Sequence, residues 1–454
     1  MKIEKRTMRI IYRIKIGLFY TALFALAIVG LLWFCRPERS ELEKRPLTDF
    51  PDITIAGVID GSFARGVDTW YADTYPLREL FIRGNNRLHI LYGSRDTQLI
   101  NKGEHADAIP DPSEASPTGD TTAPTQSGTI STEPVETDPG ETGPVPEETY
   151  PDGTVTTPGE MSGSLYITEN SAYSLYYFVR SAADAYTDMI NHTQAVLGDK
   201  VNLYCIVAPL SSGVMLDQQL LDSLGASNQK DAIGYLYSRI SDDVHKVNVY
   251  ENLKKHNAEY IYFRTDHHWT ALGAYYAYEA FAGEKRIEPH GLSQFKEKTF
   301  ENFLGTSYAS SQSPVLKSHP DTVTAYVPMG TNLMTMTTLD GTQMKWNIIM
   351  DVTDYVNNAK YSCFAGSDQP FAYAHNPSIT DGSACVVVKD SYGNALIPFL
   401  IDHYEYVYWV DFRLYKGTLA ELVEEKGIQD VIYCTNIYNT SVASMVERMK
   451  RLVP

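Results

Sequence analysis

The sequence predicts an α/β protein built on a mostly parallel β-sheet with helices on both faces. From residue 164 onwards, short β-rich runs alternate with stretches of helical periodicity. Polar residues directly follow several of these runs, and open α/β sheets place their sites at such strand ends. The β-rich runs are VNLYCIVAP (201–209), AEYIYF (258–263), SACVVVK (383–389), YEYVYWV (404–410) and DVIYC (430–434).

The N-terminus predicts a membrane anchor. Six Lys or Arg residues in the first 15 precede an uncharged apolar run of 20 residues, 16–35. About 20 apolar residues span a bilayer core, and a basic flank stays in the cytoplasm. We therefore expect a cytoplasmic basic segment (1–15), a transmembrane signal-anchor (16–35) and an extracytoplasmic remainder. A cleaved signal peptide is the alternative, but no small-x-small site closes the run.

Two segments separate this anchor from the α/β region. Residues 36–101 have amphipathic helical spacing and are expected to form an N-terminal helical part. Residues 102–163 hold 10 prolines, 13 acidic residues and one basic residue. Such a segment buries too little apolar area to offset its ordering entropy, so a disordered acidic tether is expected. The α/β domain then spans 164–454, with a β-rich insertion at about 300–380.

Composition excludes several classes of function. The chain has a formal net charge of −18, and no basic patch interleaved with aromatics lies beyond the N-terminus. A nucleic-acid partner is therefore not expected. The five cysteines show neither CxxC nor Cys/His ligand spacing. We accordingly predict no metal and no cofactor.

Four polar clusters follow the predicted strands and are the candidate site. They are Asp266/His267/His268, Asp390/Ser391, Asp411/Arg413 and Asn436. Each alone is commonplace, and Ser391 or Asn436 could be a plain cap or turn residue. Their recurrence at equivalent strand ends is the informative feature, because parallel strands end at one edge of the sheet.

These residue types permit acyl transfer. Ser391 lies at a strand–turn–helix junction, where its hydroxyl points away from the sheet and its amide lies at a helix N-terminus. His267 or His268 would serve as base, and Asp266 would hold the imidazole. Asn436 would donate a hydrogen bond to the oxyanion. No G-x-S-x-G elbow is present, so an ordinary α/β-hydrolase layout is disfavoured.

Several segments resemble the DHHW family, relatives of the alginate O-acetylation proteins AlgX and AlgJ with SGNH-hydrolase-like domains. TDHHWT resembles the namesake motif, and KDSYGNALIPFL is similar to the nucleophile segment. The stretches EKRPLTDFP (43–51), WYADTYPLRE (70–79) and HY…VDFR (403–413) also fit. The resemblance implies an SGNH-like fold with permuted motif order, in which the Asp/His block precedes the Ser block.

The resemblance also implies roles for individual residues. Ser391 would be the nucleophile, His268 the general base and Asp266 the residue that orients it. Asn436 and Arg413 would contact the oxyanion or the substrate. Further motif-associated positions are His267, Trp269, Asp390 and Tyr392. Two departures stand out: Lys389 replaces the usual glycine before Asp-Ser, and residues 102–163 interrupt a region that is continuous in relatives.

The resemblance implies O-acetylation of an extracellular polysaccharide through an acyl-enzyme, with a membrane-bound O-acyltransferase supplying the acyl group. A deacetylating carbohydrate esterase would use the same residues. Two other hypotheses stay open. The 32 tyrosines suit a non-catalytic polysaccharide-binding or assembly protein, and the literal Asp-His-His suits a metal-dependent phosphoesterase.

Overall fold

A computed structural model provides the coordinates of the chain. It describes Phe50, Pro51, Phe63, Val67, Trp70, Tyr71, Thr74, Tyr75 and residues 106–110 and 151–454. The chain divides into two compact units, 1–98 and 99–454. The predicted transmembrane run 16–35 and its basic flank lie outside the described residues. Among the residues that are described, no helix has the length and apolar character needed to cross a bilayer.

The described residues of the first unit include part of the predicted N-terminal helical region. Phe63, Val67, Trp70 and Tyr71 are helical and partly buried. The ring of Phe50 contacts that of Trp70 edge-on, with centroids 4.8 Å apart. Aromatic packing of this kind stabilises the approach of a preceding segment to a helix.

The second unit alternates strands and helices. Its strands are β1 (Glu160–Ser162), β2 (Leu165–Ile167), β3 (Ala172–Ser174), β4 (Asn202–Ala208), β5 (His245–Val247), β6 (Lys296–Phe303), β7 (Asp321–Val327), β8 (Leu333–Thr337), β9 (Gln343–Asn347), β10 (Phe371–His375), β11 (Ala384–Lys389), β12 (Tyr406–Asp411) and β13 (Asp430–Asn436). Its α-helices are α1 (Arg180–Leu197), α2 (Ser211–Met215), α3 (Gln218–Ser223), α4 (Gln229–Arg239), α5 (Val249–Lys255), α6 (Ala271–Lys285), α7 (Thr306–Ser311), α8 (Pro314–Ser318), α9 (Gly393–Leu400), α10 (Leu419–Lys426), α11 (Ile437–Thr440) and α12 (Ala443–Lys450).

The fold is mixed α/β around a large central sheet with strand order β5-β4-β13-β11-β12-β10-β8-β9. The first five strands in this order are parallel. β10, β8 and β9 add to them as antiparallel strands. Of the predicted β-rich insertion, β8, β9 and β10 thus extend the parallel strands, whereas β6 and β7 pair in a separate two-stranded sheet.

The parallel strands form the core. β4, β11 and β13 are near-continuous apolar runs that are buried almost throughout. Strands of that composition require cover on both faces. The helices supply it in two groups, since α1 packs with α4 and α12, and α6 packs with α5 and α9. This arrangement leaves the carboxyl ends of β11, β12 and β13 next to one another.

The predicted strand at 258–263 is wrong. Its residues form only an isolated bridge between Tyr262 and Trp269. The chain instead reverses within a short loop, in which Phe263 N–H donates to the His268 carbonyl and Thr270 N–H donates to that of Ile261. The polar residues between them obtain their hydrogen bonds from side chains, so no sheet ladder is needed. The DHH motif therefore lies in a loop that is not attached to a sheet strand.

The predicted disordered tether, 102–163, is too long. The structure describes 106–110 and 151–163 of it, and both stretches form hydrogen bonds with the α/β domain. Asp107 N–H donates to the Phe178 carbonyl, and Asp107 also accepts from Arg180 N–H. Residues 151–163 carry β1 and a bond from Gly153 N–H to Asn257 Oδ1 of 2.8 Å. These hydrogen bonds with the domain order the two stretches. The composition of the segment does not indicate such contacts. The rest of the tether lies outside the described residues.

Candidate active site

Ser391 occupies the turn between β11 and α9, at the carboxyl edge of the sheet. Lys389, the last residue of β11, pairs in register with Asp411 of β12 and Cys434 of β13. Asp390 fixes the turn by accepting from Tyr392 N–H through Oδ1 at 2.8 Å. Ser391 is partly exposed, and its hydroxyl is accessible at the edge of a buried sheet.

A chain of two hydrogen bonds joins Ser391 to the DHH loop. Ser391 Oγ lies 2.7 Å from His268 Nε2, and His268 Nδ1 lies 2.5 Å from Asp266 Oδ1. An ionised carboxylate only accepts, so Nδ1 carries the proton and Nε2 accepts from the serine hydroxyl. His268 N–H also donates to Asp266 Oδ1 at 3.0 Å. The imidazole therefore presents its unprotonated nitrogen to the Ser391 hydroxyl.

Asp266 is buried and its other oxygen is also hydrogen-bonded. Thr306 donates to Oδ2 from both its backbone N–H, at 2.7 Å, and its hydroxyl, at 2.9 Å. Burial raises the pKa of Asp266, but the charges of His268 and His267 and these hydrogen bonds outweigh it and hold the pKa well below its ordinary value. A Cβ on Gly305 would overlap Asp266 Oδ2, so only glycine allows this approach.

Asp321, at the start of β7, holds the DHH loop in place, and sequence reasoning missed it. Its buried carboxylate accepts from Arg264 N–H (3.0 Å), Thr265 N–H (2.8 Å) and the Thr265 hydroxyl (2.5 Å). Tyr260 donates a further hydrogen bond from its hydroxyl. Asp321 is 56 residues from Thr265 along the chain, and no motif marks it. It positions the residues that lead into Asp266.

Replacing Asp321 with alanine is expected to lower the free energy of unfolding by about 2–4 kcal/mol, because several buried donors lose their acceptor. Catalysis should fall by more than the loss of folded protein explains, since a small displacement of Asp266 misaligns His268. Urea unfolding and activity measured at equal folded fraction test this. Asp354→Ala, at an exposed turn, is the matched control. Equal stability of the two variants would refute the positioning role.

Three aromatic residues surround His268. Tyr361 stacks on the imidazole with centroids 3.9 Å apart and planes 10° apart, and its hydroxyl donates to the Ser391 carbonyl at 2.9 Å. Trp269 Nε1–H donates to the Tyr392 carbonyl at 3.0 Å, and the Tyr392 hydroxyl donates to the His267 carbonyl. Trp269 and Tyr392 thus connect the DHH loop to the serine turn. Sequence reasoning did not single out Tyr361, which comes from the β-rich insertion.

His267 differs from its neighbour. Its Nδ1 bonds to the Thr306 hydroxyl at 2.6 Å and lies 4.0 Å from Asp266 Oδ1. Its side chain is 23% exposed. Burial and the adjacent His268 lower the pKa of His267 to about 4, so it is neutral near pH 7.

The Asp266, His267 and His268 side chains also form a geometric cluster that could hold a metal ion. One ligand atom from each lies within 4.8 Å of the others. Both ring nitrogens of His268 already have partners, however, and so do both oxygens of Asp266. A metal ion on these atoms would have to displace Ser391 or Thr306, because each occupied lone pair serves one partner.

Asn436 faces Asp390 across the strand ends. Its N–H and its Nδ2 donate to Asp390 Oδ2 at 2.8 and 2.9 Å, and Asn439 Nδ2 donates to the same oxygen at 2.6 Å. Burial raises the pKa of Asp390 despite these bonds and the charge of Arg413. Asn436 Oδ1 is buried without a partner among the described residues. Among the described residues, Nδ2 of Asn436 thus has one partner, Asp390.

Arg413 lies in a partly buried ion-pair cluster. Its Nε and Nη2 bind both oxygens of Asp411, and Nη2 also lies 2.8 Å from Asp368 Oδ2. The ammonium of Lys389, which is 0% exposed, lies 3.3 Å from Asp368 and 3.5 Å from Asp411. Two cations therefore face two carboxylates. The buried charge of Lys389 is thus compensated, as a buried charge requires.

Asp368 reaches this cluster from an unusual turn. The three residues before it, Ala365, Gly366 and Ser367, all have positive φ, at 49°, 70° and 64°. Such a backbone costs on the order of 1 kcal/mol or more at each non-glycine position. At Gly366 a Cβ would overlap Met334 Cε. The strained turn places Asp368 beside Arg413 and Lys389.

Comparison with known proteins identifies the family. The DHHW family, described as "DHHW protein", matches residues 43–119 and 132–410, which is most of the chain. This chain belongs to the DHHW family. The match includes the DHH loop and Ser391, whereas Arg413 and Asn436 lie beyond it. Comparison with curated proteins gives no match.

Solved structures resemble the DHHW chain over 62–64% of its length. A DHHW family protein from Eubacterium siraeum is 29% identical, with a TM-score of 0.59 over 64% of this chain and 96% of its own. Bacillus cereus PatB1 with a sulfonyl adduct is 17% identical, with a TM-score of 0.52 over 62% and 96%. A second PatB1 structure is 16% identical, with a TM-score of 0.50 over 63% and 98%. These similarities establish a shared fold.

Proposed function

We propose that this DHHW protein is a serine-dependent acyl-transfer enzyme in which Ser391 is the nucleophile, His268 the general base and Asp266 the group that orients the base. The observation that carries the proposal is the continuous chain from Ser391 Oγ through both imidazole nitrogens to Asp266, at 2.7 and 2.5 Å. A serine hydroxyl needs such a base to attack at neutral pH.

The proposed reaction proceeds in two halves. Ser391 Oγ attacks the ester carbonyl while its proton passes to His268 Nε2, which gives a tetrahedral oxyanion and an imidazolium. The intermediate collapses to an acyl-serine, and the leaving alcohol takes the proton from Nε2. An acceptor hydroxyl then loses its proton to Nε2 as it attacks the acyl-serine, and the second collapse regenerates Ser391.

Stabilisation of the oxyanion is assigned to two donors. The Ser391 amide lies at the start of α9, where the helix dipole favours negative charge. The second Nδ2 hydrogen of Asn436 is the other donor, and Asp390 fixes its direction. Each such donor typically lowers the barrier by about 2.7–4 kcal/mol. Arg413 is assigned to substrate contact at the mouth of the site, with Asp411 and Asp368 holding its guanidinium.

The fold assignment that fits this chemistry is an SGNH-hydrolase-like domain with permuted motif order. The Asp266/His268 loop comes first along the chain, the Ser391 turn follows β11, and Asn436 follows last, at the end of β13. The adjacency of β11, β12 and β13 in the sheet supports the assignment, because their carboxyl ends lie side by side.

The proposed reaction is O-acetylation of a cell-surface or secreted polysaccharide. The anchor proposed for 16–35 would place the domain outside the membrane, where a membrane-bound O-acyltransferase would supply the acyl group. A carbohydrate esterase would use the same residues with water as acceptor. Transfer to an added glycan in preference to hydrolysis would favour the transferase.

Hydrolysis of p-nitrophenyl acetate by the purified full-length protein tests the acyl-transfer chemistry. One PatB1 structure carries a sulfonyl adduct, and sulfonyl fluorides react with activated hydroxyl nucleophiles. We expect phenylmethylsulfonyl fluoride to abolish the hydrolysis and EDTA to leave it unchanged. The opposite result, loss with EDTA and resistance to the sulfonyl reagent, would favour a metal-dependent site at Asp266, His267 and His268.

A further inference from the structure

One face of the sheet bears a row of aromatic side chains at strands β10 and β12. We call this row the aromatic strip; its members are Phe371, Tyr373, His375, Tyr406, Tyr408 and Tyr415. Within β10 and β12 they occupy alternate positions, which point to the same face. The alternating residues on the opposite face, such as Ala372 and Trp409, are fully buried. Most of the strip is only partly buried.

The rings of the strip lie next to one another, with Tyr408 buried between its more exposed neighbours. Phe371 lies 6.1 Å from Tyr408 with planes 28° apart, and 6.2 Å from Tyr415 with planes 30° apart. Tyr406 and Tyr408 are 6.0 Å and 11° apart. The neighbouring rings are near-parallel, and Phe371, Tyr373, Tyr406 and Tyr415 are partly exposed. Such a surface suits ligands with extended apolar faces and polar edges, as sugar rings have.

The polar surroundings of the strip suit hydroxyl groups. Tyr373 pairs with Thr335 of β8, and Phe371 pairs with Thr337. These threonines pair in turn with Lys345 and Gln343 of β9. The face therefore passes from aromatic rings to threonine hydroxyls, and then to the amide of Gln343 and the ammonium of Lys345, all of which donate hydrogen bonds.

Acidic side chains lie near both ends of the strip. Glu425 lies close enough to Tyr408 and Tyr415 to raise the pKa of both, after burial, and Glu421 acts on Tyr415 in the same way. At the other end, Glu405 lies 3.9 Å from His375. Lys345 is two strands beyond Tyr373. In a chain of net charge −18, this surface disfavours an anionic polymer.

Strand pairing links one end of the strip to the strand ends that form the candidate site. Phe371 pairs with Val410, the residue before Asp411, and Tyr415 N–H donates to the Asp411 carbonyl. Asp411 is in register with Lys389, two residues before Ser391. The cation of Arg413 at this junction is neutralised by Asp411 and Asp368. The junction therefore provides no net positive charge that would select an anion.

We infer that the aromatic strip binds an uncharged glycan chain, which supplies the hydroxyl that accepts the acyl group. This inference rests on the proposed function, because it names the acceptor of that reaction. Sugar rings stack on Phe371, Tyr373 and Tyr406, and the chain continues past Arg413 toward Ser391.

Affinity electrophoresis of the full-length protein tests the inference. The neutral probes are hydroxyethyl cellulose, galactomannan and dextran, and the anionic probe is polygalacturonate. At least one neutral polymer is expected to retard the protein, and polygalacturonate is not. Tyr373→Ala and Tyr406→Ala should each weaken binding about tenfold, because an aromatic stack is lost. Tyr373→Phe should retain binding, since the ring face remains.

Two control variants separate the possible causes of a loss. They distinguish loss of the strip from loss of the fold, and loss of binding from loss of the nucleophile. Tyr355→Ala removes an exposed tyrosine away from the strip and should bind as the wild type does. Melting temperatures verify the fold of each variant. Ser391→Ala should lose ester turnover and keep glycan binding, so a failed nucleophile assignment is distinguishable from a failed binding site.

Several results would overturn the inference. They are no retardation by any neutral polymer, stronger retardation by polygalacturonate, and unchanged binding in Tyr373→Ala. Sedimentation velocity provides one more. A dimer that dissociates in Tyr373→Ala would make the strip an interface between copies of the chain.

Discussion

Ser391→Ala is expected to reduce hydrolysis of p-nitrophenyl acetate by at least about 10⁴-fold, because residues that act as one catalytic unit fail together when one is removed. The residual rate should come from the oxyanion donors alone. Stability should change little, since Ser391 is partly exposed and its hydroxyl bonds to His268. The kcat of the purified variant, measured beside its melting temperature, provides the test.

The matched control for this prediction is Ser223→Ala. Ser223 is exposed at the end of α3, and its hydroxyl donates to the Leu220 carbonyl. Its loss should leave kcat and the melting temperature near those of the wild type. Wild-type turnover in Ser391→Ala would exclude this serine as the nucleophile.

The two adjacent histidines provide a second large contrast. His268→Gln should lower kcat by about 10³–10⁴-fold, because the base and its link to Asp266 are both lost. His267→Gln should lower it by less than about tenfold, since His267 Nδ1 bonds to Thr306 and has no contact with Ser391. The same isosteric change one residue apart makes each variant the control for the other. Equal losses in both would argue against the assignment of His268 as base and would favour a metal cluster.

Much of the fold was predictable because apolar runs report burial. β4, β11, β12 and β13 coincide with runs identified from the sequence, and all four are buried almost throughout. The run at 258–263 looked similar but does not form a sheet strand. Its apolar residues are buried by packing, and Asp321 satisfies the backbone of the loop that follows. An apolar run indicates that a segment is buried. It does not indicate which groups satisfy the hydrogen bonds of that segment's backbone.

The site was predictable in part for a related reason. Ser391, His268 and Asp266 belong to local motifs, and the structure brings them into one hydrogen-bonded chain. The residues that hold them come from distant segments without motifs. Tyr361 stacks on His268 from the β-rich insertion, and Thr306 binds Asp266 from the start of α7. Such side chains become visible only when the chain is folded.

Lys389 illustrates how a buried lysine beside the candidate site is accommodated. A Cβ on residue 393 would lie 2.6 Å from the Cβ of Lys389. The glycine at 393 therefore leaves room for the lysine side chain. Its ammonium meets Asp368 and Asp411. Removal of either carboxylate would leave a buried charge without its full compensation, which is strongly destabilising. The strained turn before Asp368 thus supports an arrangement that a glycine at 389 would not need.

The central claim, that Ser391 carries the acyl group, is most directly tested by locating that group during turnover. The full-length protein would be mixed with p-nitrophenyl acetate, quenched in acid and digested, and its peptides analysed by mass spectrometry. We predict one acetyl group on the peptide that contains Ser391, absent from Ser391→Ala and formed slowly in His268→Gln. Turnover with no acetylated peptide, or with the acetyl group on another residue, would contradict the claim.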